Sequence, residues 1–229
     1  MQVQTKRQWL RMMMFLAACI ATLVIGVSIF EEKKYAFISV GLVVLACLFL
    51  VSGFDKRRTH IRRLVLIAVM TALSVIGRFF FAAIPGFKPM TALIVLTGMY
   101  LGCEAGFLCG ALTAVLSNFY FGQGPWTPFQ MFAFGMLGLL AGVLHKLLKK
   151  SRVCLVLYAI FAGVAYSLLM DVWSVLWSYN GFVWSAYVAA FVTALPYTVS
   201  YAISNVVFLL LMRKPFGVKL NRMIVKYGV

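Results

Sequence analysis

Charged side chains are scarce in this chain. Only 11% of its 229 residues are charged, and five acids face 21 lysines and arginines. A soluble surface needs more charge, so a soluble domain of this length is excluded. Enzyme signatures are also missing. There is no GxxxxGK[ST] phosphate loop, no HExxH and no GxSxG, and the two histidines, His60 and His145, lie in basic connectors. No nucleophile and base come together in an apolar run, so catalysis is not expected. The five cysteines, Cys19, Cys47, Cys103, Cys109 and Cys154, lie in or beside apolar runs without metal-ligand spacing. They read as small packing residues, and neither a metal nor a cofactor is expected.

What is present is hydrocarbon. Hydrophobic residues make up 64% of the chain, with a mean hydropathy of +0.99. Several apolar runs approach ~20 residues, the length that crosses a bilayer core. They lack the period-2 alternation of a barrel strand. The composition therefore predicts an all-α membrane protein. A net charge of +16 would suggest nucleic acid in a soluble protein. Here the basic residues cluster beside the spans, where they orient the chain and touch anionic lipid, so no nucleic-acid partner is expected.

Spans are expected at about 10–30, 35–53, 64–83, 129–148, 153–178 and 185–212, with a further apolar stretch from Thr91 to Phe119. The first follows Lys6, Arg7 and Arg11 and runs from Met12 to Phe30 with no small-residue cleavage site before Glu31. It reads as a retained helix rather than a signal peptide. As one helix, 91–119 would be about 43 Å long, well beyond the hydrocarbon thickness. Charge decides how it is divided. If it is a hairpin bent at "LGCEAG", and the N-terminus is cytoplasmic, then 17 of the 21 lysines and arginines fall inside. That gives about eight helices: a two-helix membrane hairpin at 1–56, then six helices in 57–229. Both termini are then cytoplasmic. Glycines at 98, 102, 106 and 110, repeated at 138 and 142, predict tight helix packing.

In this topology the loops 84–90, 120–128 and 179–184 face outward. The stretch "SNFYFGQGPWTPFQ", 117–130, carries no charge. It offers Asn118, Gln123 and Gln130 as hydrogen-bonding groups, and Tyr120 and Trp126 as flat apolar faces. Ligand sites combine apolar walls with a few convergent polar groups. An aromatic belt alone does not need two glutamines and an asparagine. Asp171 lies about two turns inside its helix, where an ionisable group is costly and points to function. Arg78 lies at a matching depth near the outer end of its own helix. The two either form a salt bridge or meet a polar ligand, and Arg78 also has the option of snorkelling to headgroups. Glu104, at the hairpin bend, reads as a solvated interfacial carboxylate. Lys88, Asn180 and Trp184 are further outer-loop candidates. Asn205 is expected to bond to a neighbouring helix.

Residues 63 to 213 resemble the substrate-binding S component of energy-coupling factor (ECF) vitamin transporters. The resemblance rests on "LIAVMTALSVIGRFFFAAIPGFKP", on "TALIVLTGMYLGCEAGFLCGALTAVLSNFYFGQGPWTPFQMFAFGMLGLLAGVL", on "MDVW" and on "LPYTVSYAISNVVFLLL". Its most specific piece, "FGQGPWTPFQM", is similar to the branch containing cobalamin-type S components. The resemblance implies a six-helix bundle in the prokaryotic plasma membrane, with a vitamin-like substrate near the outer face under loops 84–90 and 120–128. It implies docking of a transmembrane coupling subunit through Ala68 and Ala72, which match the family's A-x-x-x-A spacing, and energy from two ATPase subunits. Residues 1–56 depart from the family pattern. The expected function is thus vitamin or cofactor-precursor uptake, with cobalamin the leading substrate. The rivals are a stand-alone small permease or channel, and an intramembrane enzyme or assembly factor.

Overall fold

The structure is a computed structural model that describes residues 59–179 and 181–227, with five helical positions at 13, 14, 17, 18 and 21 ahead of them. The chain divides into two compact units, 1–54 and 55–229. The expected leading hairpin falls outside the described residues, apart from those five positions. In the second unit the described residues form seven helices and no strand: α1 (Thr59–Phe80), α2 (Met90–Leu101), α3 (Cys103–Phe121), α4 (Thr127–Val143), α5 (His145–Lys150), α6 (Arg152–Tyr179) and α7 (Trp184–Tyr227).

The apolar stretch from Thr91 breaks where its glycines allow it. Gly102 sits at φ +99°, a conformation that L side chains rarely adopt, and separates α2 from α3. The two helices fold back on each other, so that the Thr97 hydroxyl lies 3.6 Å from the Cys109 sulfur. Pro89 precedes α2, and Pro128 lies in the first turn of α4, where a missing N–H costs nothing. At twelve residues α2 is only about 18 Å long, short of the ~30 Å hydrocarbon core. Eleven of its twelve residues are buried, so it faces protein on every side.

Glycine also sets the spacing of α2, α3 and α4. A Cβ on Gly98 or on Gly106 would strike the Gly138 carbonyl oxygen, and one on Gly138 would strike the Gly106 carbonyl. Gly110 lies against the Phe134 backbone and Gly142 against Cys103. Backbone therefore meets backbone along this seam, as the four-residue glycine spacing predicts.

Two helices differ from expectation. The span expected at 129–148 divides at Leu144 into α4 and the short α5, so seven helices stand where six were expected. The basic tail after residue 212 continues α7 to Tyr227, through Pro196 and Pro215, for 44 residues. At about 66 Å α7 is twice a bilayer core. Its extension is held by packing: Gly217 lies on the Tyr100 ring, and Arg213 donates to the Lys149 carbonyl. Lys149 in turn lies 4.3 Å over the Tyr100 ring. At the same end Arg63 donates to the Leu101 carbonyl (2.8 Å) and lies 4.0 Å from Glu104. Basic residues of α1, α5 and α7 thus share one end of the bundle, and the site described next lies at the other. Among the described residues, three helices are long and apolar enough to cross a membrane: 61–80, 152–179 and 184–226.

Candidate functional site

Away from the basic end, α1 and α3 finish side by side. Arg78, in the last turn of α1, donates from one guanidinium nitrogen to Ser117 Oγ (2.5 Å) and Asn118 Oδ1 (2.8 Å). The guanidinium also lies 4.5 Å over the Phe121 ring. Asn118 is almost fully buried and uses its whole amide. Its nitrogen donates to Thr127 Oγ1 (2.9 Å) and to Gln130 Oε1 (2.8 Å). Gln130 Nε2 then donates to the Tyr166 hydroxyl at 3.2 Å. A continuous run of polar contacts therefore crosses from α1 through α3 and α4 to α6. Such groups are costly in an apolar interior unless each finds a partner. Here they fix one another.

Tyr166 leads to the second half of the site. Its ring stacks on Phe134 at 4.4 Å and meets Tyr201 of α7 edge-on at 5.3 Å. Beside these rings is a cavity of about 10 Å³, the room needed by a single water. It is lined by residues of α2, α4, α6 and α7, including Thr91, Tyr166, Tyr201 and Asn205, and by Gly86 and Lys88 of the loop 81–89. Two serines one turn apart on α7 hold that loop. Ser200 Oγ donates to the Pro85 carbonyl (2.9 Å). Ser204 Oγ accepts from the Lys88 amide (2.8 Å) and donates to the Lys88 carbonyl (3.0 Å). Gly86 turns the loop at φ +75°, and a Cβ there would meet the Ser200 side chain.

The Lys88 ammonium lies 5.7 Å over the Tyr201 ring, and among the described residues it has neither a hydrogen-bond acceptor nor a carboxylate partner. Burial pushes it down to about 8, and the Arg78 charge adds to the effect.

Several candidates lie elsewhere. Tyr120 is exposed and packs on Phe79 and Phe121, outside the cavity. Gln123 is exposed and donates to the Val115 carbonyl (2.9 Å) near the end of α3. Trp126 lies on Gly124 and meets Trp173 of α6 edge-on at 6.0 Å. Asp171 does not meet Arg78: it is buried, and its Oδ2 has no hydrogen-bond partner among the described residues. Asn180 lies outside the described residues. Asn205 does reach a neighbouring helix, donating to the Ala159 carbonyl of α6 at 3.2 Å. Ala68 and Ala72 lie on an exposed face of α1 with Val65, Val69 and Ile76. Sequence reasoning missed Phe134, Tyr166, Tyr201 and Ser204. The signal for the last two was present, since Tyr201 and Asn205, like Ser200 and Ser204, stand four apart in an apolar helix and so share a face.

Among the described residues no cluster of three metal-ligating side chains occurs. The arrangement offers Lys88, amide and hydroxyl groups and ring faces around a small cavity, with Arg78 in the adjoining polar run. The family model for the substrate-specific component of ECF transporters matches residues 62–222. No curated protein and no solved structure gives a significant match to the chain.

Proposed function

The chain belongs to the family of substrate-specific components of ECF transporters, and from that premise we propose that it is a receptor for a vitamin or cofactor precursor. It takes its ligand from outside the prokaryotic plasma membrane and releases it inward with a partner complex. The observation that carries this reading is the hydrogen-bonded run from Arg78 to Tyr166 beside the Lys88 cavity. Convergent polar groups against ring walls are what a small-molecule site requires.

The cavity is the size of one water, so a vitamin enters only when the loop 81–89 lifts. Ser200 and Ser204 hold that loop by three hydrogen bonds, each contributing about 1 kcal/mol net. That is weak enough for ligand binding to redistribute. The basic clusters gathered at the far end support a multi-pass topology with both termini cytoplasmic and the cavity outward. The exposed apolar face around Ala68 and Ala72 suits a transmembrane coupling subunit, since small residues let helices approach closely in lipid. Two ATPase subunits would supply energy to a chain with no phosphate-binding motif of its own. Cobalamin is the first substrate to try, from the resemblance of "FGQGPWTPFQM" to that branch.

Uptake of labelled cobalamin and other vitamins, in cells with and without the coupling and ATPase subunits, tests this reading. Accumulation that needs all the subunits is expected. Robust accumulation without them would replace it with the stand-alone permease.

A further inference from the structure

The cations at the site are not matched by acid. Among the described residues the only carboxylates are Glu104 and Asp171. Glu104 lies by Arg63 at the other end of the bundle, and Asp171 does not line the cavity. Arg78 spends one guanidinium nitrogen on Ser117 and Asn118, which leaves three of its five N–H donors without an acceptor among the described residues. Lys88, ten residues further along the chain, brings three more donors to the cavity wall. Among the described residues the only side-chain partner of its ammonium is the Tyr201 ring.

Lys88 in the ring-lined cavity wall and half-buried Arg78 have no carboxylate beside them among the described residues, which is costly. Lys88 is also held in place rather than left to swing. Ser204 fixes its backbone at both the amide and the carbonyl, and Gly86 turns the loop so that the side chain passes Tyr201. The hydroxyls of Tyr166 and Thr91 and the amide of Asn205 lie around the same cavity. These groups supply hydrogen bonds and no negative charge.

Resting on the receptor reading, we propose that the ligand of this site carries an oxyanion, a carboxylate or a phosphate ester, that is bound at Lys88 with Arg78 completing the positive field. Phe134, Tyr166 and Tyr201 take the apolar body of the ligand. A carboxylate or phosphate among these donors gains charge-assisted hydrogen bonds in a region shielded from water. A neutral isostere leaves the ammonium buried and unpaired. The site therefore selects against the amide or alcohol counterpart of its own ligand.

The test uses the full chain, purified in neutral detergent and dialysed to equilibrium against a defined mixture of water-soluble vitamins and their precursors. The mixture contains acids, phosphate esters, amides, alcohols and amines. Retained compounds, including co-purified phospholipid, are identified by mass spectrometry for the wild type, Lys88→Met and Lys88→Arg. Thermal unfolding confirms that both variants are folded. The expected result is a retained acid or phosphate ester whose retention falls at least about tenfold in Lys88→Met and largely returns in Lys88→Arg. A neutral or cationic compound retained equally by all three chains overturns the oxyanion and leaves the receptor reading standing. So does an anionic compound that is indifferent to Lys88→Met. A phospholipid as the only species sensitive to Lys88→Met upholds the oxyanion site and overturns the receptor reading. No retained compound of any kind overturns both.

Discussion

The described bundle is closed along two seams, and they are made of different materials. Between α2, α3 and α4 the closure is backbone against backbone at Gly98, Gly106, Gly110, Gly138 and Gly142. Between the loop 81–89 and helices α6 and α7 it is serine hydroxyls, tyrosines packed edge-on and a lysine over a ring. The first seam has no side chain to move, so it opens only if the helices separate. The second is held by bonds of about 1 kcal/mol each that a ligand is able to replace. A receptor needs both: a rigid half that keeps its groups in register, and a half that yields.

The largest effect is expected on the rigid seam. Gly138→Leu drives a branched side chain into the Gly106 carbonyl and the Ile94 methyl. The expected loss exceeds about 4 kcal/mol, seen as failure to recover folded, monodisperse protein in detergent. A Gly138→Leu chain with an unchanged unfolding temperature would break the comparison at its root. Next comes Asn118→Leu, which takes an acceptor from Arg78 and donors from Thr127 and Gln130 at once. A loss of about 2–3 kcal/mol in thermal unfolding is expected, since buried partners are left unsatisfied. A change below half of that would mean the polar run is not coupled.

A third effect sharpens the yielding seam. Lys88 binds an anion only when protonated, and its folded value is about 8. The Arg78 charge acts on it as a cation, and Tyr166 and Tyr201 line the same cavity. Retention of an anionic ligand is therefore expected to be level below that value. As the pH climbs past it, retention should weaken by about tenfold per unit, or 1.4 kcal/mol, with the onset higher if the ligand itself stabilises the charge. Equilibrium dialysis from pH 6 upward reads this directly, and flat retention to high pH would remove Lys88 from the account. The smallest effect is expected at Tyr120→Ala. The side chain is exposed, and among the described residues its ring packs on Phe79 and Phe121. Stability should move by no more than about 0.5 kcal/mol, and ligand retention should not change.

Much of the rigid seam was legible in the sequence. Glycine every fourth residue has a direct packing meaning, and the placement of lysine and arginine argued for folding 91–119 back on itself. Arg78, Asn118 and Gln130 were legible because polar groups in apolar helices need partners. The turn at 117–130 does not face one way as a unit. Successive residues of a helix point about 100° apart, so the end of α3 sends Ser117 and Asn118 inward and Phe119 and Tyr120 outward. Tyr166 and Phe134 were not legible, because an aromatic residue in an apolar helix reads first as packing. The helical tail was hidden by Pro215 and Gly217, which read as breakers until Tyr100 is seen filling the space beside Gly217.

The most direct measurement is an experimental density map of the chain with its retained compound bound. The account predicts that compound between α6 and α7 beneath the loop 81–89, with its charged oxygens against Lys88 and Arg78. A compound seated instead on the outer turn by Tyr120 and Trp126, with the Lys88 cavity unchanged, would contradict it.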